Sequence, residues 1–138
     1  MQPVLLDTSV IVAWLNQRDH HHERCVAALS GLRQPMATCE AVIAESCYMV
    51  QSIPAAIERV LANVADGTFQ IPFQLRECAT AVGSILGKYR DTPADFADAC
   101  LIHMANELGV GDILTLDSDF RHYRWRRNRS FRLLIPLD

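Results

Sequence analysis

Short apolar segments alternate with longer stretches of helical periodicity along most of the chain. The apolar runs predict strands at 4–6, 36–38, 112–116 and 131–135, with a short strand or extended link at 69–73. Helical spacing predicts helices near 10–15, 21–32, 40–51, 54–66, 74–89 and 93–108. Strands that alternate with helices are typical of the α/β class, with a mainly parallel sheet flanked by helices.

The last of these helices has the clearest start in the sequence. Thr92 is a plausible N-cap, Pro93 suits the first helical position, and Asp95 completes an arrangement that resembles a capping box. Gly109 follows the last apolar residue of the pattern and predicts the end of the helix after Leu108.

Composition narrows the class of protein. The 138 residues, half of them apolar and 21% charged, suit one domain spanning 1–138 and argue against disorder. No apolar run is long enough to span a bilayer, and the first residues do not resemble a signal peptide. The five cysteines lack CxxC spacing, which favours reduced thiols in a cytoplasmic protein over a zinc or disulfide framework.

Four acidic residues stand at unusual places in this pattern. Asp7 and Asp117 each follow a predicted apolar strand, where open α/β sheets gather ligands, although each alone is explained as a helix cap. Glu45 and Asp98 lie on largely apolar helix faces. For either one alone, a buried salt bridge or a partly exposed stripe is a sufficient explanation. Four acids directed at one sheet predict a site for Mg²⁺ or Mn²⁺, which prefer oxygen ligands.

Charge is distributed unevenly along the chain. Residues 1–120 carry 15 acidic and 7 basic residues, whereas 121–138 carry one acid and six arginines. This basic segment would suit a polyanionic substrate, with Tyr123 and Trp125 available to stack on unpaired bases. A solvated loop whose aromatic residues pack on the domain is an equal alternative. The arginines in question are Arg121, Arg124, Arg126, Arg127, Arg129 and Arg132.

Several segments together resemble the PIN-domain ribonucleases, and most closely the VapC-type toxins of bacterial toxin–antitoxin pairs. They are LLDTSVIVAWL (5–15), EAVIAE (40–45), ADFADACLIHMANELG (94–109) and ILTLDSDF (113–120). The resemblance implies a three-layer α/β/α domain, Mg²⁺- or Mn²⁺-dependent cleavage of RNA, a homodimer and a cognate antitoxin. It places the acidic quartet on Asp7, Glu45, Asp98 and Asp117, with Asp119 as an additional acid. Thr8 and Ser9 match the polar residues that hold the first acid.

Two other functions compete with this interpretation. A phosphatase with Asp7 as nucleophile would want a second aspartate two residues later, where Ser9 stands. A non-catalytic RNA- or protein-binding module on the same scaffold would be expected to have lost some acids, yet all four are present. Asp95, explained as a helix start, and Glu40, which lies off the face of Glu45, are left outside the predicted metal site.

Overall fold

The computed structural model describes residues 1–92 and 94–137. Its strands are β1 (Val4–Leu6), β2 (Met36–Ala37), β3 (Phe69–Gln70), β4 (Asp112–Leu114), β5 (Arg124–Trp125), β6 (Arg129–Ser130) and β7 (Arg132–Leu133). Its helices are α1 (Thr8–Leu15), α2 (His22–Gly31), α3 (Glu40–Met49), α4 (Ala56–Ala65), α5 (Leu75–Lys88) and α6 (Phe96–Leu108). The α/β class predicted from the sequence is confirmed.

Five strands form a central sheet in the order β3-β2-β1-β4-β7, and each neighbouring pair is parallel. The three residues of β1 are completely buried, as are nearly all atoms of Ile113 and Leu114 in β4. Such continuous apolar runs are expected for strands covered on both faces. Because β2 and β4 flank β1 on opposite sides, the strand order reverses there, which places a crevice outside the carboxyl ends of β1 and β4.

Helix α6 begins three residues later than the sequence predicts. Its N-cap is Asp95, whose side chain accepts the backbone N–H of Asp98, while the Asp98 side chain accepts the backbone N–H of Asp95. This reciprocal capping box satisfies two backbone donors at once, and Thr92 lies in a preceding turn instead of capping the helix. Pro93 lies outside the described residues. The predicted stop at Gly109 is confirmed, with φ of 68°.

The arginine-rich segment contains a small antiparallel hairpin that the sequence did not predict. Strands β5 and β6 pair Arg124 with Ser130 and Trp125 with Arg129. The turn between them holds Arg126 and Arg127 at positive φ, 40° and 73°. Side chains other than glycine adopt this conformation at a cost, so tertiary contacts maintain the hairpin. Among the described residues, no helix has the length and apolar character needed to cross a membrane.

Candidate active site

Asp7 follows β1 and is the N-cap of α1, at the point where the strand order of the central sheet reverses. Its carboxylate accepts the backbone N–H of Thr8 at 2.8 Å and the hydroxyls of Ser9 at 3.1 Å and Thr115 at 2.6 Å. Burial raises the pKa of Asp7 to about 6, against the lowering effect of these hydrogen bonds. Asp7 is therefore held in one orientation although its charge is destabilised by burial.

The two hydroxyls also join the loops that follow β1 and β4. Ser9 Oγ accepts the backbone N–H of Leu116 at 2.9 Å, and Thr115 Oγ1 accepts that of Asp117 at 3.0 Å. Of the two residues expected to support Asp7, Ser9 does so through its hydroxyl and Thr8 through its backbone N–H only. Thr115 was not predicted, although a threonine in an otherwise apolar strand end was a signal for it.

Asp98 projects from the first turn of α6 and is 6% exposed. Its Oδ2 accepts the backbone N–H of Asp95 and the phenol of Tyr123, both at 3.2 Å. Burial, followed by the charge of Asp95, raises the pKa of Asp98 to about 7, and Asp7 and Asp117 add to the shift. The charged form of Asp98 is therefore destabilised by its burial and by the acids around it.

Asp117 follows β4 and caps a 3-10 turn formed by Ser118–Arg121. Its side chain accepts the backbone N–H of Asp119 at 2.9 Å. Burial raises its pKa, and the charges of Asp119 and Asp95 add to this effect. The mutual influence of Asp7, Asp98 and Asp117 shows that these three predicted acids share one electrostatic environment at the carboxyl edge of the sheet.

Glu45, the fourth predicted acid, lies on α3. The helix face around it is the partly exposed stripe that the sequence left as an alternative, because Val42 is buried whereas Tyr48 and Met49 are 74% and 55% exposed. Glu45 itself is half-buried. It lines a cavity of about 450 Å³ together with Asp95, which the sequence had left outside the site. Asp95 in turn contacts Asp98, so Glu45 lies beside the cluster of Asp7, Asp98 and Asp117.

The donor set suits a hard divalent cation by its chemistry. Three carboxylates with raised pKa values lie among hydroxyl groups, and in the described ranges no lysine or arginine forms an ion pair with them. A cation would offset the repulsion among the three carboxylates and supply the positive charge that no lysine or arginine of the described ranges supplies there. Within residues 1–92 and 94–137, no three His, Cys, Asp or Glu side chains are already arranged around one ion position.

Of the two alternatives for Tyr123 and Trp125, the structure shows packing on the domain and not exposed rings free to stack on RNA bases. Tyr123 is completely buried, with its ring against Phe120 at 5.0 Å between centroids, and Trp125 is 7% exposed. The indole N–H of Trp125 donates to the carbonyl of Ser130 at 3.1 Å. Both rings are therefore part of the core, and Tyr123 acts on the site by donating to Asp98. Aromatic residues three apart, at 120 and 123, were the available signal for a buried face.

The arginines divide between two ends of the molecule. Arg126 donates to the carbonyl of Asn106 near the end of α6, and Arg132 pairs with Asp112 at 2.8 Å at the start of β4 and β7. Eight helical residues, about 12 Å, separate Asn106 from Asp98. Arg126 and Arg132, two of the arginines expected to bind RNA or a partner, therefore lie away from the acids.

Arg121 and Arg124 lie nearer the acids. Arg121 ends the 3-10 turn that Asp117 caps, and the guanidinium of Arg124 donates to the carbonyls of Arg121 and Tyr123, both at 2.9 Å. The side chain of Arg121 is exposed and has no partner in the described part of the chain. Both arginines therefore follow closely on the turn that Asp117 caps.

Comparisons with known proteins agree with this architecture. The PIN domain family model matches residues 4–126. The crystal structure of Mycobacterium tuberculosis VapC20, described as a sarcin-ricin loop cleaving toxin, superposes with a TM-score of 0.77 at 16% identity. The match covers 84% of this chain and 91% of VapC20. No curated protein sequence matches the chain significantly.

Proposed function

The chain belongs to the PIN-domain family, and on that premise we propose that it is a metal-dependent endoribonuclease that hydrolyses RNA phosphodiester bonds. The observation that carries the proposal is the meeting of Asp7, Asp98 and Asp117 at the reversal of the strand order, each with a raised pKa. Buried like charges without a basic partner are characteristic of a site completed by a cation and a substrate.

Asp7, Asp98 and Asp117 would hold Mg²⁺ or Mn²⁺, with Glu45 and Asp119 at the margin. When bound, the cation supplies positive charge that offsets the carboxylates and attracts an RNA phosphate. The remaining contributions come from the chain itself. Ser9 and Thr115 orient Asp7, and Tyr123 holds Asp98 by donating its phenol to the carboxylate.

The test is cleavage of single-stranded RNA by the purified protein. We expect cleavage with Mg²⁺ or Mn²⁺, no cleavage with EDTA, and no cleavage by the Asp7→Asn and Asp98→Asn variants. Asp91→Asn is the matched control, because Asp91 is exposed in a turn away from these contacts. RNA binding without metal-dependent cleavage would instead favour the non-catalytic module, and undiminished cleavage by Asp98→Asn would refute the assignment of the site.

The arginines supply a second test. Changing Arg121 and Arg124 together to Gln should weaken RNA binding and flatten its logarithmic salt dependence by about 0.7 per lost phosphate contact. Arg127 and Arg129, exposed in the turn and the second strand of the hairpin, are the matched control pair. If both double substitutions weakened RNA binding equally, the proposal that Arg121 and Arg124 are the arginines that contact RNA would be contradicted.

The fold of VapC20 motivates a proposed role as the toxin of a type II pair, restrained by a cognate antitoxin. We also propose a homodimer formed through α3 and α4. Tyr48, Met49 and Leu61 expose 74%, 55% and 52% of their side chains on these helices, and apolar patches of this kind favour association. Sedimentation as a 15.5 kDa monomer at micromolar concentration would contradict the dimer.

A further inference from the structure

Tyr89, the C-cap of α5, contacts two consecutive residues of the arginine-rich segment. Its ring packs edge-to-face on the ring of Tyr123, with 5.1 Å between centroids and 67° between the ring planes. Its hydroxyl accepts the backbone N–H of Arg124 at 2.9 Å, across 35 positions of sequence. One half-buried side chain at the end of α5 therefore holds both residues from outside their own segment.

The contact with Tyr123 leads to the cluster of acids. The phenol of Tyr123 donates to Oδ2 of Asp98 at 3.2 Å. The Tyr123 ring is held edge-to-face by two other rings, those of Tyr89 and Phe120, at 5.1 and 5.0 Å between centroids. Edge-to-face pairs favour a particular ring orientation in addition to burying apolar area. Tyr89 therefore helps to determine where the phenol of Tyr123 meets Asp98.

The contact with Arg124 leads to the arginines proposed to bind RNA. Arg124 is the first residue of β5, and its guanidinium donates to the carbonyls of Arg121 and Tyr123. Its partly buried N–H donates to Tyr89. A buried N–H that loses its acceptor costs free energy, so the backbone at Arg124 would have to move to find another one. Tyr89 therefore also determines where Arg124 lies.

We propose that Tyr89 is a positioning residue that aligns a metal ligand, Asp98, with an RNA-binding residue, Arg124. It acts on Asp98 through Tyr123 and on Arg124 through the backbone, while its own ring is covered by the ammonium of Lys88 at 5.2 Å. This inference rests on the proposed function, because it takes a divalent cation and RNA as the ligands. It adds a residue outside the acidic cluster that supports the binding of both.

Two substitutions separate the two contacts. Tyr89→Phe keeps the ring on Tyr123 and removes the acceptor for the Arg124 N–H, whereas Tyr89→Leu removes both contacts. The affinity for Mn²⁺ is measured by isothermal titration calorimetry in the absence of RNA. The affinity for RNA is measured by fluorescence anisotropy of a labelled uridine octanucleotide in EDTA, where no cleavage is expected.

Tyr89→Leu should weaken Mn²⁺ binding about threefold to tenfold, in line with the loss of one aromatic pair that orients a ligand's hydrogen-bond donor. Tyr89→Phe should leave Mn²⁺ binding unchanged. Both variants should weaken RNA binding about threefold, in line with one lost hydrogen bond.

Double substitutions test the route of each effect. In a Tyr123→Phe background, Tyr89→Leu should weaken Mn²⁺ binding no further, because the phenol through which Tyr89 acts is absent. In an Arg124→Gln background, Tyr89→Phe should weaken RNA binding no further. Additive losses in these backgrounds would show that Tyr89 only stabilises the fold, and would overturn its role as a positioning residue.

Phe73→Leu is the matched control, because Phe73 is a half-buried aromatic residue just before the other end of α5. Its ring packs edge-to-face on His103, with 6.4 Å between centroids. The control should change neither the Mn²⁺ affinity nor the RNA affinity. Thermal melting of each variant shows whether it is folded, and Tyr89→Phe provides the test if Tyr89→Leu does not fold.

The outcomes separate this inference from the proposed function. Metal-dependent cleavage by the unmodified chain, combined with Mn²⁺ and RNA affinities that the Tyr89 variants leave unchanged, would overturn the role of Tyr89 and keep the nuclease. Affinities that depend on Tyr89 in a chain that does not cleave RNA would overturn the nuclease and keep the role of Tyr89. Absence of Mn²⁺ binding by the unmodified chain would overturn both the metal site and the action of Tyr89 on Asp98.

Discussion

Replacing Asp98 by Asn should make the metal-free protein more stable at alkaline pH. Both hydrogen bonds that the Asp98 side chain accepts, from Asp95 and Tyr123, end on the same oxygen. The single amide oxygen of Asn can accept both, so the substitution keeps the capping contact and removes only the charge. The substitution removes a buried negative charge that is close to Asp7, Asp95 and Asp117.

The magnitude follows from the raised pKa of Asp98, which moves from 3.8 to about 7. The folded state binds the proton of Asp98 more tightly than the unfolded state does, so protonation of Asp98 stabilises the fold. This stabilisation is complete below pH 4 and is lost as pH rises through 7. At about 1.4 kcal/mol per pH unit, the full shift corresponds to about 4 kcal/mol. Solvent at the open side of the crevice screens the charge, and we expect about 2 kcal/mol, or about 6 °C in Tm.

Urea unfolding between pH 3.5 and pH 9 in EDTA measures this difference. The free energies of unfolding of wild type and Asp98→Asn should agree near pH 3.5, diverge in favour of the variant as pH rises above 4, and differ fully by pH 8.5. Asp91→Asn, at an exposed position, should follow the wild type throughout. Added Mg²⁺ should then stabilise the wild type more than the variant. Equal stabilities at pH 8.5, or a gap that grows on acidification, would refute the reasoning.

Three further predictions concern the support of the site and the hairpin. Gly111→Ala should lower stability by about 1–3 kcal/mol in thermal melts, because its Cβ would lie 2.6 Å from Cε2 of the buried Trp125 ring, and an unchanged Tm would contradict this packing. Arg127→Asn should raise stability by about 1 kcal/mol, since Asn tolerates positive φ better, and a lower Tm would argue against strain at this turn. Tyr123→Phe should keep the fold but shift the acidic limb of the pH–rate profile to higher pH, because Asp98 loses a hydrogen-bond donor to its charged form. An unshifted profile would show that Tyr123 does not act on the site.

Local sequence patterns were sufficient for the order of the helices and of the strands of the central sheet, but not for the hairpin of β5 and β6. Apolar runs and helical spacing are properties of neighbouring residues, and they correctly predicted the parallel sheet. They also correctly placed Asp7 and Asp117 after β1 and β4, and Asp98 on a buried helix face. The start of α6 was misplaced because Thr92 and Asp95 both suit an N-cap, and only the exchange of hydrogen bonds with Asp98 selects Asp95.

Tertiary structure alone decided which side chains meet. Thr115 reaches Asp7 across 108 positions of sequence, and Tyr123 reaches Asp98 across 25. The spacing of apolar residues could not predict whether the helix face around Glu45 is buried, because such spacing does not show whether another element covers that face. Likewise, Trp125 was equally compatible with stacking and with burial until the hairpin closed over Gly111. Periodicity specifies which positions are apolar, whereas partners and exposure depend on contacts between segments that are distant in sequence.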